Sequence, residues 1–132
     1  MTGHPALALL DRVAALAGAG SAAGVAMRLG LHRDAAAEEL AWEGPPVLGG
    51  AERVRVRAAG SGAVDLVELL LAPGSGPTRS ELEAALGRAD QQPRAAGAGC
   101  IALAFPPRGR VTPLAYVDDA TARASRLVAR RD

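Results

Sequence analysis

Two stretches of the chain, 57 residues apart, carry one pattern: Ser21, Val25, Leu29, Gly30 and Thr78, Leu82, Leu86, Gly87. Each has a hydroxyl residue able to cap a helix, apolar residues four and eight positions later on one helical face, and a glycine that ends the turn. A short helix of this kind has one apolar face and must lay it on another element. The pattern predicts two similar halves, residues 21–72 and 78–130, inside a single domain spanning 1–132. Carried forward, the same offset sets Val54 against Val111 and Leu69–Leu71 against Arg126–Val128. The plainer alternative is that two ordinary capped helices match by coincidence, since caps and terminal glycines follow from general helix physics.

Local signals fill in the elements. Pro5 to Ala17 reads as an amphipathic helix with Leu9, Val13, Leu16 and Ala17 on one face, Leu10 at its edge, and Asp11 and Arg12 pointing away. From Arg53 to Arg57, Arg and Val alternate strictly, the period of a strand with one wet face. Gly60, Ser61 and Gly62 turn the chain into a more buried strand from Val64 to Leu71, completing a hairpin. After a loop at Pro73–Pro77, Thr78 and Glu81 form a capping box on a helix that carries Leu82 and Leu86 inward and stops at Gly87. A polar loop to Gly99, a strand at Cys100–Phe105, a turn at Pro106–Gly109 and a strand at Arg110–Val117 follow. Ala35–Trp42 and Ala122–Arg130 are rich in helix formers, yet the repeat places a strand at each, and strand is the reading taken for both. The expected fold class is α+β: an N-terminal helix plus two similar halves, each a short helix followed by antiparallel strands, with the helices on one face of the sheet.

Composition narrows the partners. A chain of 132 residues can bury about two thirds of its unfolded surface without disulfide or metal support. Aromatic residues are 2% of it, so Leu, Val and Ala must fill the core. The lone Cys100 rules out an internal disulfide and, within an apolar run, reads as a small buried hydrophobe. Fifteen arginines against fourteen acidic residues give a net charge of +1 with no basic patch or aromatic support, so no nucleic acid is expected as a partner. The absence of Lys beside abundant Ala, Gly and Pro reads first as coding bias. No basic leader opens the chain and no window has the roughly 18 apolar residues of a membrane span, so a cytoplasmic protein without a membrane partner is expected.

The cap, apolar pair and glycine at Ser21–Gly30 and Thr78–Gly87, each followed by a loop and strands, resemble the fold shared by the beta-lactamase inhibitory proteins and the small outer-membrane assembly lipoproteins of the SmpA/OmlA type. The resemblance implies helical elements packed on an antiparallel sheet, in tandem, and a general binding role. The chain departs from it in lacking a lipoprotein cysteine after a signal and in having a single cysteine where the secreted inhibitors have disulfides. The likeness therefore does not extend to beta-lactamase as a target.

No residue set at the right spacing points to chemistry. Gly18, Gly20 and Gly24 follow a helix where a phosphate-binding turn needs a strand. Glu38 and Glu39, like Asp118 and Asp119, are sequence neighbours that point to different sides. His32 with Asp34, and Cys100, match no ligand spacing, and Ser61 and Ser75 sit in glycine-rich turns. No catalytic residue, cofactor or metal is therefore expected. What remains is surface: Trp42 beside a loop, and Arg53, Arg55 and Arg57 along one wet strand face, suited to gripping an acidic protein partner or simply to keeping the sheet soluble. For Trp42 the competing reading is core packing.

The leading expectation is a non-enzymatic protein-binding module of inhibitor, immunity or adaptor type, monomeric or homodimeric, whose concave sheet face meets one protein through Trp42, Arg53, Arg55 and Arg57. One alternative makes Ala120–Arg130 a helix and the protein a dimeric secretion-type chaperone for an unfolded client. The other is a small-ligand-binding protein or an enzyme of unknown chemistry that uses the apolar interior.

Overall fold

A computed structural model describes residues 4–93 and 99–131. Helix α1 spans Pro5–Ala19. At its start His4 Nδ1 accepts the Ala6 N–H at 3.1 Å while Nε2 lies 2.6 Å from the Ser75 carbonyl, so one imidazole both caps the helix and ties it to a loop. Helix α2 spans Ala22–Leu29 under a Ser21 cap and ends at Gly30, whose φ of 74° is the left-handed turn that glycine adopts without penalty. Helix α3 spans Arg79–Leu86, and its Thr78–Glu81 capping box is fully formed.

Four strands follow α2: β1 His32–Arg33, β2 Ala41–Gly44, β3 Arg53–Ala58 and β4 Val64–Leu70. Four follow α3: β5 Asp90–Gln91, β6 Cys100–Ala104, β7 Val111–Asp118 and β8 Ala124–Arg131. All join one eight-stranded sheet in the order β1-β2-β3-β4-β8-β7-β6-β5, and every pairing is antiparallel. The order is symmetric about the β4–β8 seam, where Glu68 faces Val128. Irregularities in register fall between Arg57 and Ala58 and between Tyr116 and Val117, which sets Val54 against Pro113 and Leu69 against Ala129, not against Val111 and Arg126 as the 57-residue offset has them.

One face of this sheet is the core. Val54, Leu69, Leu127, Ala115 and Leu103 form a continuous cross-strand row, each fully buried. Val56, Val67, Ala129 and Pro113 form the next. Helix α1 lies over β4, β8 and β7, covering the seam with Leu9, Leu10, Val13 and Ala17, while α2 packs on β2 and β3 through Val25 and Leu29. Leu82 and Leu86 bring α3 into the same cluster. A proline at the centre of a sheet normally costs a ladder hydrogen bond. At Pro113 the loss is confined to the end of the β6–β7 ladder: its carbonyl accepts the Phe105 N–H at 3.0 Å, one residue past the last paired residue Ala104, and only the return bond is missing.

The expected α+β class holds, with helices packed on an antiparallel sheet, and the segment Ala122–Arg130 is strand from Ala124 onward, as β8. The helical tail at Ala120–Arg130 required by the chaperone arrangement is therefore not formed: hydrogen bonding to β4 on one side and β7 on the other overrides the helix propensity of Ala, Arg and Leu. Ala35–Trp42 is strand only from Ala41 onward. Before it, Asp34 Oδ1 accepts the Ala36 N–H and the Asp34 carbonyl accepts the Ala37 N–H, closing a turn that interrupts pairing. The two-residue edge strands β1 and β5 were not expected, and residues 94–98 of the expected polar loop lie outside the described residues.

Candidate functional site: the open face of the sheet

Side chains alternate across a strand, so the residues between the core rows point to the face opposite the helices. On β3 these are Arg53, Arg55 and Arg57, as the sequence alternation predicts. Their cross-strand neighbours on β4 are Leu70, Glu68 and Leu66. Beyond β4, Leu70 meets Arg126, Glu68 meets Val128 and Leu66 meets Arg130. Each leucine thus lies between two arginines, Leu70 between Arg53 and Arg126 and Leu66 between Arg57 and Arg130. Leu70 remains 40% exposed.

The arginines meet carboxylates of their own chain. Arg55, the most enclosed of the three, donates to Asp34 at 2.8 Å, Glu39 at 3.0 Å and Glu43 at 3.3 Å. Arg53 pairs with Glu43 at 3.0 Å, Arg57 with Asp65 at 2.7 Å, and Arg126 with Glu68 at 3.1 Å while its guanidinium stands 4.0 Å from the Tyr116 ring centroid. The hydrogen bond from Arg55 holds the Asp34 carboxyl below its ordinary value. Glu39 is lowered first by its own backbone N–H and then by Arg55. Asp34 and then Glu39 in turn raise Arg55. Arg55 is therefore a clasp for the 34–43 segment, whereas Arg53 and Arg57, 49% and 41% exposed, keep guanidinium edges toward solvent.

Trp42 does not join them. Its cross-strand partner is Val56, which puts it on the helix-covered side, half-buried against the core with the Arg33 guanidinium 5.9 Å from its ring centroid. Sequence reasoning missed Leu66, Leu70, Arg126 and Arg130. The spacing of Leu66, Glu68 and Leu70 by twos, in phase with the arginines of the preceding strand, is the signal that carries the first two. The last two lie on β8, whose strand character has no local signature. The carboxylates around Arg55 come from 12 to 21 residues away along the chain and become neighbours only through the β2–β3 register.

Elsewhere the surface has shallow clefts. One of about 440 Å³ lies between the start of α1 and the loop after β4 and is lined by His4, Glu52, Leu71 and Ser75 among others. Its histidine is engaged in the α1 cap and the Ser75 contact. Among the described residues no three His, Cys, Asp or Glu side chains gather to hold a metal ion, and no helix is long and apolar enough to cross a membrane. Cys100 is a free, half-buried thiol. No family model, curated protein or solved structure matches this chain, so the likeness drawn from Ser21–Gly30 and Thr78–Gly87 rests on those residues.

Proposed function

We propose that the protein is a non-enzymatic binding module of inhibitor, immunity or adaptor type, and that it engages one folded protein through the open sheet face on β3 and β4. The observation that carries this reading is the lattice of two leucines framed by arginines on the face that the helices leave uncovered. Arginine is enriched among interface hot spots, where guanidinium groups supply directed hydrogen bonds, and the leucines between the arginines supply apolar area to remove from water. Leu70 and Leu66 are the anchors. Arg53 and Arg57 offer donors to carboxylates of the partner. Arg55 acts indirectly by holding the 34–43 segment beside them, and Trp42 acts only by packing β2.

The test is affinity purification of the tagged protein from its native cell extract, with light scattering of the eluate to fix stoichiometry. One folded partner held in integral ratio by the wild type, and lost on the double change Arg53→Glu and Arg57→Glu with the melting temperature preserved, is the expected result. Retention of the partner by that variant removes the face from the account. A homodimer carrying unfolded clients would instead favour chaperone activity, on a fold without a C-terminal helix.

A further inference from the structure

The helix side of the molecule carries a second surface. Of the five large apolar side chains that stand exposed among the described residues, three gather there: Met27 at 80%, Val47 at 71% and Leu48 at 50%. The Gly49 N–H returns to the Pro46 carbonyl at 3.1 Å, so Val47 and Leu48 are the central pair of a turn, positions usually filled by Gly, Pro or small polar residues. The turn is fastened to both helices. The Val47 N–H reaches the Leu29 carbonyl at 3.0 Å, and the Val47 side chain stands over Gly30, one helical turn beyond Met27. Leu48 shares a cleft with Pro5, Ala8, Leu9 and Arg12 of α1. Two cations flank these residues: Arg12 in that cleft, and Arg28, next to Met27, in a second cleft with Leu16 and Val25. Neither arginine has an ion-pair or hydrogen-bond partner among the described residues, and no carboxylate lines either cleft. Of the acids on the same side, Asp11 is paired with Arg108 toward α3, and Glu52 lines the cleft beyond Gly50.

We propose that this surface rests on an anionic lipid bilayer, with Met27, Val47 and Leu48 immersed at the headgroup level and Arg12 and Arg28 on lipid phosphates. The inference concerns the helix side and rests on nothing in the partner-binding reading, which concerns the open face of β3 and β4. Charge complementarity selects an anionic occupant, because two free guanidinium groups stand beside the apolar residues with no carboxylate of their own to meet. The remaining chemistry selects a bilayer over a folded protein. Protein interfaces carry about one hydrogen bond per 100–200 Å², and beyond its two arginines this patch offers no side-chain donor or acceptor to set a partner's register. A bilayer needs no register: it takes apolar side chains into the headgroup boundary and cations at its surface. At 80% and 71% exposure, Met27 and Val47 project into solvent rather than line a groove. Three side chains and two cations belong to the weak, reversible class of lipid contact, so binding should require anionic lipid. The sequence expectation of no membrane partner rests on the lack of a leader and of a spanning segment, neither of which a surface contact requires.

Co-sedimentation of the purified protein with sucrose-loaded vesicles is the test. The protein should bind vesicles of phosphatidylcholine containing about one third phosphatidylserine, bind phosphatidylcholine alone about tenfold more weakly, and be released as salt is raised. Met27→Asp combined with Val47→Asp should lower binding about tenfold with the melting temperature preserved. Arg12→Glu combined with Arg28→Glu should do the same. Arg88→Glu combined with Arg110→Glu makes the same change of net charge at exposed, unpaired arginines in the other half of the chain, and should lower binding less than about threefold. No binding to the anionic vesicles, equal binding to neutral ones, or a loss that follows net charge whichever arginines are changed would each overturn the proposal. Self-association abolished by the Met27 and Val47 changes, without vesicle binding, would assign the patch to a protein contact and overturn it too. The arginine variants keep the test valid even if the apolar changes disturb folding. Because the purified chain is tested alone, the outcome does not depend on a partner at the open face.

Discussion

Counted from the β4–β8 seam, the two halves of the sheet offer matched positions with unlike residues. Where β3 shows Arg53, Arg55 and Arg57 to the open face, β7 shows Thr112, Leu114 and Tyr116; where β2 shows Glu43, β6 shows Ala104; where β4 shows Glu68, β8 shows Val128. The covered face behaves otherwise. Val56 matches Ala115, Trp42 matches Leu103 and Val67 matches Leu127, apolar in every case. The helices impose one requirement, an apolar layer, on the side they cover. The opposite side answers only to solvent or to a partner. One half of it is a lattice of ion pairs and the other is largely apolar, edged by the charges of Asp90, Asp118 and Arg130, so binding at one half does not imply binding at the other.

Truncating equivalent leucines on the two faces should separate them most widely. Leu127→Ala empties a fully buried site between β4, β7 and α1, and thermal or urea denaturation should show a loss of about 2–5 kcal/mol. Leu114→Ala, one row away on the open face of β7, should cost under about 1 kcal/mol. Equal losses would mean that the open face is as tightly packed as the core.

A smaller effect is expected from making the first half resemble the second. Arg55→Leu gives β3 the residue that β7 carries at the matching position, and it releases Asp34, Glu39 and Glu43 from their shared cation. Stability should fall by about 1 kcal/mol, the scale of a partly exposed ion-pair network. Amide exchange should quicken in the 34–43 segment and not in β7. An unchanged exchange pattern would show that the segment is held by its backbone bonds alone.

The smallest expected effect is a pH dependence. Asp34 and Glu39 titrate below their ordinary values of 3.8 and 4.5 when folded. Their contribution is therefore complete above the higher of those values and disappears as pH falls through the lowered folded ones. Melting temperature followed from neutral pH downward should decline in that acid window for the wild type and more shallowly for Arg55→Leu. Parallel curves would remove Arg55 as the cause.

Much of this architecture is legible in the chain, because capped helices and strict alternation are local. Ser21 and the Thr78–Glu81 pair announce α2 and α3, and the alternation at Arg53–Arg57 announces β3 and its wet face. Strand β8 is not local: Ala, Arg and Leu favour helix, and only pairing on both sides makes the segment extended. The edge strands β1 and β5, with two residues each, are too short to leave a period. For the candidate site, the sequence shows that Arg53, Arg55 and Arg57 share a face. It does not show that Arg55 is spent on three carboxylates or that Trp42 points the other way, since both follow from the β2–β3 register.

The central claim is that the exposed centre of the open face, at Leu70, is the contact for a protein partner. Its most direct test compares Leu70→Asp with Val47→Asp in purification from native extract, both positions being exposed and apolar but only Leu70 lying on that face. The account predicts that the stoichiometric partner is lost with Leu70→Asp and kept with Val47→Asp. A partner that survives Leu70→Asp, or that leaves with Val47→Asp alone, would contradict it.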